Sequence, residues 1–128
     1  MSKGKRILVV EDNPTIRCMV TDALETDYEV ATAENGLMGW LQANVSPHPD
    51  LIITDVEMPK LDGIGMVKRL RLHGQAPQVP IIFLTSRDRP VDVIQGMHAG
   101  ACYYLTKPFG VDDLVLKVRN VFDSDGAG

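Results

Sequence analysis

Two kinds of segment alternate along the chain, and this alternation constrains the fold more than any other feature of the sequence. Short runs rich in β-branched residues are separated by stretches in which apolar residues recur with helical spacing. Such alternation predicts an α/β domain, a doubly wound (βα)5 sandwich with parallel strands, right-handed crossovers and helices on both faces of the sheet. The predicted strands lie at 6–10, 28–33, 51–54, 80–85 and 102–106.

The helical stretches differ in the regularity of their apolar spacing. Three have clear stripes, whereas the segments 63–72 and 90–98 are weaker, and Gly96 interrupts the second of these. Polar residues that can cap helices precede three stretches, namely Asn13, Asp62 and Asp88. The clear stripes are Ile16, Met19, Val20, Ala23 and Leu24; Leu37, Trp40, Leu41 and Val45; and Val111, Leu114, Val115, Val118 and Phe122.

The composition of the strands predicts their order in the sheet. "ILVV", "LIIT" and "IIFL" are continuous apolar runs, as expected for strands covered on both faces. "YEVATA" and "CYYLT" contain polar residues that suit the edges of a sheet. This favours a five-stranded parallel sheet of order 2-1-3-4-5, the flavodoxin-like arrangement. A Rossmann-like order would place the apolar third strand at an edge.

Overall composition restricts the class of protein. A chain of 128 residues with 45% hydrophobic and 23% charged residues predicts one globular domain, here 1–122, followed by a flexible tail or the start of a linker at 123–128. The net charge of −4 argues against direct nucleic-acid binding, and no apolar run approaches the ~20 residues of a membrane span. Cys18 and Cys102 lack metal-type spacing, so we expect reduced, packed thiols in a cytoplasmic protein.

Acidic residues end two of the predicted strands. Glu11 and Asp12 follow the first strand and Asp55 follows the third, and in the predicted order these ends flank the point where ligands bind in such sheets. Like charges ~4 Å apart repel by about 4 kcal/mol at an effective dielectric of 20, so either one acid is protonated or a cation lies among them. Oxygen ligands with room for water favour Mg²⁺.

Strands four and five add groups suited to phosphate chemistry at the same edge. Thr85 and Ser86 supply hydroxyl groups, and Lys107 supplies an ammonium group. Alone, each residue has an ordinary structural interpretation as a strand or surface residue. Together, the acids, the cation site, the hydroxyl and the ammonium favour phosphoryl transfer, in which a carboxylate can serve as the nucleophile.

Four stretches of the chain carry a resemblance to a known family. "ILVVEDNP", "DLIITDVEMPKLDG", "PIIFLTS" and "AGACYYLTKPF" resemble, in order and spacing, the receiver domains of two-component response regulators, over about residues 5–122. The resemblance implies that Asp55 accepts a phosphoryl group from a sensor histidine kinase or a histidine phosphotransfer protein in a phosphorelay. It implies a signalling domain with only self-catalysed phosphotransfer and slow autodephosphorylation, not an enzyme of general turnover.

The resemblance also implies roles for the surrounding residues. Mg²⁺ would be bound by Asp12, Asp55 and the backbone carbonyl of Glu57, with Glu11 acting through a metal-bound water. Lys107 would pair with Asp55 at rest and with the phosphoryl group afterwards. The Lys107–Pro108 peptide bond would be cis. The switch residues would be Thr85, which hydrogen-bonds a phosphoryl oxygen, and Tyr104.

The resemblance further implies an output surface, formed by the predicted helix at 90–98, the fifth strand and the last helix. Phosphorylation would change this surface, and it could produce a dimer. The downstream partner would be an unknown effector or an output domain beyond residue 128.

Glu57 and Arg87 are candidates for an ion pair across the mouth of the site.

Three other functions fit parts of the pattern. A phosphatase of the haloacid dehalogenase type also uses a strand-end Asp with Mg²⁺, but it needs a second Asp where this chain has Glu57. A flavodoxin-like electron carrier needs a Ser/Thr/Gly-rich phosphate loop where this chain has "EDNP". A phosphorylation-independent scaffold would not need the three acids.

Overall fold

Strands and helices alternate in the computed structural model, which describes residues 4–58, 60–75, 78–86 and 102–127. The predicted helix at 90–98, with Asp88 and Gly96, lies outside the described residues. The elements are β1 (Arg6–Val10), α1 (Pro14–Leu24), β2 (Glu29–Ala33), α2 (Gly36–Ala43), β3 (Leu51–Asp55), α3 (Gly63–His73), β4 (Ile81–Ser86), β5 (Cys102–Lys107) and α4 (Val111–Ala127).

The five strands form one parallel sheet of order β2-β1-β3-β4-β5, which confirms the predicted order. Ile7 pairs with Leu51 across β1 and β3, and Ile53 pairs with Ile82 across β3 and β4. The apolar strands are therefore central, and the strands with polar residues form the two edges. The carboxyl ends of β1 and β3 are neighbours, as the site prediction required.

In the part of the chain that the structure describes, buried side chains form one cluster on each face of the sheet. Because successive strand residues point to opposite faces, each central strand contributes to both clusters. The α2/α3 cluster includes Leu8, Val10, Ile52, Phe83, Ala43, Met66, Val67 and Leu70. The α1/α4 cluster includes Ile7, Val9, Leu51, Ile53, Val20, Leu24, Leu114 and Val118.

Side-chain caps fix the starts of the helices that follow the site strands. The Asn13 side chain accepts hydrogen bonds from the backbone N–H groups of Thr15 at 2.9 Å and Ile16 at 3.1 Å. Asp62 accepts one from Gly65 at 2.7 Å. Both predicted caps are therefore confirmed, and they satisfy N–H groups that a helix leaves unpaired in its first turn.

The apolar stripe predicted for helix α2 does not face the core, so this prediction was wrong. Leu37, Leu41 and Val45 are exposed, and only Trp40 of that stripe is partly buried. The face that packs on the sheet and on α3 instead consists of small residues, namely Gly36, Gly39 and Ala43.

Close approach of the α2 backbone explains this inversion. A Cβ atom on Gly39 would lie 2.7 Å from Sδ of Met66 and 2.9 Å from Cγ2 of Val10. The helix is therefore so near β1 and α3 that only glycine fits at this contact. Apolar spacing assigns large side chains to the core and gives glycine no weight, so it selected the opposite face.

Two smaller differences concern Cys18 and the end of the chain. Cys18 has a free, exposed thiol rather than the predicted packed one, because it lies about 200° around α1 from the buried Val20. The side chain of Cys102 lies outside the described residues. Helix α4 continues past Phe122 to Ala127, while the linker predicted at 123–128 stays a prediction.

Among the described residues, no helix has both the length and the apolar character that a bilayer span requires.

Candidate functional site

A cleft of about 330 Å³ lies at the carboxyl ends of β1, β3, β4 and β5. This is the edge at which parallel sheets of this topology bind ligands, between the two strands where the order reverses. The cleft contains the predicted acids, hydroxyl groups and ammonium group in one place. Its lining consists of Glu11, Asp12, Asn13, Ile16, Asp55, Val56, Glu57, Thr85, Ser86 and Lys107.

The alternation of strand side chains brings three of these groups to the same side of the sheet. Glu11, Asp55 and Lys107 each lie two residues after an apolar residue packed in the α1/α4 cluster. With a period of two, all three side chains leave the strand ends on that face. The apolar residues that anchor them are Val9, Ile53 and Leu105.

Lys107 lies between two carboxylates from two different strands. Its Nζ atom is 3.3 Å from Oε1 of Glu11 and 3.3 Å from Oδ1 of Asp55. The family resemblance implied the pairing with Asp55, whereas Glu11 was not named as a partner of Lys107. The position of Glu11 two residues after Val9 was the available signal, since it places the carboxylate on the Lys107 side.

Glu11 is fully buried and held by several hydrogen bonds. Its Oε2 atom accepts one from the backbone N–H of Asn13 at 3.1 Å, and its Oε1 atom accepts one from Lys107 at 3.3 Å. Its backbone carbonyl accepts one from Nη1 of Arg17 at 2.9 Å. Both the side chain and the backbone of this residue are therefore fixed at the floor of the cleft.

Three carboxylates form a candidate metal centre. Glu11, Asp12 and Asp55 each offer an oxygen atom, and these atoms lie within 4.8 Å of one another. All the donors are hard oxygen ligands, and Asp12 is exposed to solvent. A site with few protein ligands and access to water fits Mg²⁺.

Burial raises the pKa of two of these acids. For Glu11 the desolvation of the carboxylate is the main cause, and the negative charge of Asp55 adds to it, while the Asn13 N–H and Lys107 act in the opposite direction. Burial likewise raises the pKa of Asp55, against the opposing effect of Lys107. Lys107 therefore only partly compensates the anionic site, and a cation or a proton would relieve it.

Thr85 and Tyr104 lie on neighbouring strands and on the same face of the sheet. Thr85 is buried two residues after Phe83, and Tyr104 is the register partner of Phe83 on β5. The Thr85 Oγ1 donates a long hydrogen bond of 3.4 Å to the carbonyl of Ser86. Tyr104 packs, partly buried, against the α2/α3 cluster.

The remaining predicted features have mixed outcomes. The Lys107–Pro108 bond is cis, as expected, and the Ser46–Pro47 bond is also cis. Glu57 is exposed at the rim of the cleft. Arg87, its predicted partner, lies outside the described residues.

Comparisons with known proteins agree with this geometry. The family model described as "Response regulator receiver domain" matches residues 7–119. RpaA of Synechocystis, a DNA-binding dual master transcriptional regulator, is 40% identical over 115 residues, which are 89% of this chain and 47% of that protein. The chain thus spans about half the length of this relative. It is also similar to the sensor histidine kinase TmoS of Ectopseudomonas mendocina, with 35% identity over 127 residues. This match covers 99% of this chain and 13% of that protein.

A solved receiver-domain structure is also similar to this chain. The receiver domain of sensor histidine kinase PA1611 from Pseudomonas aeruginosa has a TM-score of 0.81 and 30% identity, with 94% of this chain and 98% of that chain covered. That structure holds a magnesium ion coordinated in its active-site cleft.

Proposed function

Because the chain belongs to the response regulator receiver domain family of two-component signalling, we propose that Asp55 accepts a phosphoryl group in a Mg²⁺-dependent reaction. Receiver domains are signalling domains and generally bind Mg²⁺ in an acidic pocket. The observation that carries the proposal is the position of Asp55, at the end of a buried strand, 3.3 Å from Lys107 and among three clustered carboxylates.

The transfer step uses the Asp55 carboxylate as the nucleophile. One of its oxygen atoms forms a bond to phosphorus while the P–N bond of a donor phosphohistidine breaks, and the donor imidazole keeps the electron pair and takes up a proton. Strand β3 holds Asp55 rigidly, which orients the attack. Lys107 is positioned to move from the Asp55 carboxylate to a phosphoryl oxygen of the product.

The neighbouring residues supply metal ligands. Asp12, Asp55 and the backbone carbonyl of Glu57 would hold Mg²⁺ directly, and Glu11 would act through a bound water. The ion, when bound, neutralises negative charge on the transferred group. Glu11 also keeps Lys107 in the cleft, since it is the buried partner of the ammonium group.

The phosphoryl group would be sensed by Thr85 and Tyr104. The Thr85 hydroxyl group turns to a phosphoryl oxygen, and Tyr104 moves inward into the space beside β4. Their adjacent positions on one face of the sheet support this coupling. The predicted output surface, which includes β5 and α4, then shifts between two states, to the extent that phosphorylation stabilises one of them.

The partners follow from the same proposal. The donor is a cytoplasmic sensor histidine kinase or a histidine phosphotransfer protein, and small acyl phosphates can replace it in vitro. The output is a separate effector, a dimer formed on phosphorylation, or a further domain joined through the predicted linker at 123–128.

Labelling with acetyl phosphate tests the proposal directly. With Mg²⁺, we expect the intact mass of the wild-type protein to increase by one phosphoryl group, and chelation of the metal to prevent this. Asp55→Asn should show no increase, because the amide is not a nucleophile for phosphorus. Asp22→Asn, at an exposed position on α1, is the matched control and should label like the wild type.

Two results would contradict the proposal. One is full labelling of Asp55→Asn, which would place the acceptor elsewhere. The other is multiple turnover of a generic phosphate monoester, which would favour a phosphatase of the haloacid dehalogenase type.

A further inference from the structure

The solvent-facing side of α2 and its C-terminal cap carries a cluster of apolar side chains. Leu37, Met38, Leu41 and Val45 are exposed by 40%, 41%, 52% and 62%, and on the neighbouring α3 Leu72 is exposed by 76%. Surface apolar residues are normal when scattered singly, but a contiguous group on one helix marks a binding site. The buried glycines of α2 force this arrangement, because they leave the large side chains on the outer side.

Helices α2 and α3 form one continuous outer surface. The guanidinium carbon of Arg69 lies 5.4 Å from the centre of the Trp40 ring, which joins the middle of the two helices. At their C-terminal ends, the backbone N–H of Gln75 donates to Oδ1 of Asn44 at 2.7 Å. The two helices therefore lie side by side in the same direction, and we call their solvent-exposed side the α2/α3 face.

The charge of the α2/α3 face differs from that of the whole protein. Residues 36–43 contain no charged residue and residues 63–73 contain no acid, although the chain has a net charge of −4. Lys68, Arg69 and His73 are exposed on α3. The acids Glu34 and Asp62 lie just before the helices, toward the phosphorylation cleft, so the C-terminal halves are apolar and basic.

We propose that the α2/α3 face docks an acidic amphipathic helix of a partner protein. The apolar side chains would receive the anchors of such a helix at i, i+3/i+4 and i+7, and its carboxylates would meet Lys68 and Arg69. The proposal goes beyond phosphoryl acceptance, since it needs neither Asp55 nor Mg²⁺.

The charge pattern disfavours two other occupants. A second copy bound about a two-fold axis would bring this face against itself, so the basic residues of both copies would approach one another. An anionic membrane surface attracts dense basic clusters, whereas here α2 lacks any basic residue and the whole domain is acidic.

Fluorescence of Trp40 provides the test, because it is the single tryptophan of the chain and belongs to α2. The probe is a tryptophan-free, side-chain-bridged helical peptide of about 14 residues with Leu on one face and Glu on the other, long enough to span α2. Its matched control carries Lys in place of every Glu. We expect a saturable change in Trp40 emission with the Glu peptide, and binding about tenfold weaker or more with the Lys peptide.

Variants locate the binding site. Leu41→Gln should weaken binding of the Glu peptide by about tenfold, as loss of an interface anchor does. The double change Lys68→Glu with Arg69→Glu should weaken binding of the Glu peptide and remove the salt dependence of that binding. Binding to this variant is measured by the fluorescence anisotropy of labelled peptide, because Arg69 contacts Trp40 and its loss would alter Trp40 emission. Leu116→Gln, on the exposed side of α4, is the control and should bind like the wild type.

Several outcomes would overturn the proposal. They are the absence of saturable binding, equal binding of the Glu and Lys peptides, and wild-type affinity of Leu41→Gln. Binding to phosphatidylglycerol vesicles without binding to the peptide would replace it with a membrane surface. Sedimentation showing a dimer that Leu41→Gln dissociates would replace it with self-association.

Discussion

Burial and charge conflict at Glu11 and Asp55. Both carboxylates lose hydration in the cleft, and each is within 3.3 Å of the same ammonium group. An ion pair that is largely withdrawn from water stabilises a fold little, because desolvation offsets the attraction. These residues therefore make the site receptive to a cation at a cost in stability.

This conflict predicts a dependence of stability on pH. The folded-state pKa values of Asp55 and Glu11 lie above their ordinary values of 3.8 and 4.5. Between the ordinary and the raised values the folded protein binds more protons than the unfolded chain, so the free energy of unfolding falls as pH rises through that interval. Urea denaturation from about pH 4 to pH 7 should show this decrease, and the double variant Glu11→Gln with Asp55→Asn should flatten it.

Added Mg²⁺ should raise the free energy of unfolding at neutral pH, where Glu11 and Asp55 are ionised and destabilise the fold. A ligand that binds only the folded state adds RT ln(1 + [L]/Kd), or about 2.7 kcal/mol at a concentration of a hundred times Kd. We expect the melting temperature of the wild type to rise with added Mg²⁺, that of Asp22→Asn to rise equally, and that of the double variant to stay constant. An equal rise in the double variant would place the bound metal outside this cleft.

Helices α2 and α3 are fixed at the cleft by contacts between backbones. The N–H of Gly63 donates to the carbonyl of Val56 at 2.9 Å, and a Cβ atom on Gly63 would lie 2.1 Å from the carbonyl oxygen of Asp55. A Cβ atom on Gly36 would lie 1.7 Å from the carbonyl oxygen of Leu61. The starts of both helices are therefore in direct contact with the chain that carries and follows Asp55.

Substitution of these glycines should destabilise the fold despite a better helix propensity. Alanine gains about 1 kcal/mol over glycine inside a helix, but overpacking costs about 1–3 kcal/mol and here forces a shift of backbone. We expect Gly36→Ala and Gly39→Ala to lower the free energy of unfolding in urea. Gly110→Ala is the control, since its Cβ atom would lie 3.5 Å from Oδ2 of Asp113, an ordinary contact. A gain in stability from Gly36→Ala would contradict the close packing of α2.

At the scale of the whole molecule, the described residues form two separate core clusters on opposite faces of one sheet. The central strands contribute to both, so the sheet is rigid, while α2 and α3 pack on one side and α1 and α4 on the other. A rigid sheet keeps the strand ends, and thus the acids and Lys107, at fixed distances.

This architecture predicts additive effects of mutations in the two clusters. Val67→Ala on α3 and Val118→Ala on α4 each remove buried methyl groups and should cost about 1–3 kcal/mol. Because the sheet separates them, the double variant should equal the sum within about 0.5 kcal/mol. Val67→Ala with Leu70→Ala, within one cluster, is the comparison in which deviation is expected. Strong coupling across the sheet would contradict the separation of the two clusters.

The sequence by itself determined the number and order of the strands and the location of the candidate site. Continuous apolar runs set the central strands, polar runs set the edges, and the residues just after each run identified Glu11, Asp12, Asp55, Thr85 and Lys107. These features are local, because side-chain period and composition report directly on which faces of an element are covered. The caps at Asn13 and Asp62 were predictable for the same reason.

Only the tertiary structure decided how the elements approach one another. The buried side of α2 was set by how closely Gly39 lets the helix approach Val10 and Met66. The spacing of residues within α2 gives no information about that distance. The sharing of Lys107 between Glu11 and Asp55 likewise depends on three strand ends meeting in space. Both are properties of contacts between residues far apart in the chain, and these form only when the packed sheet and helices fix their separation.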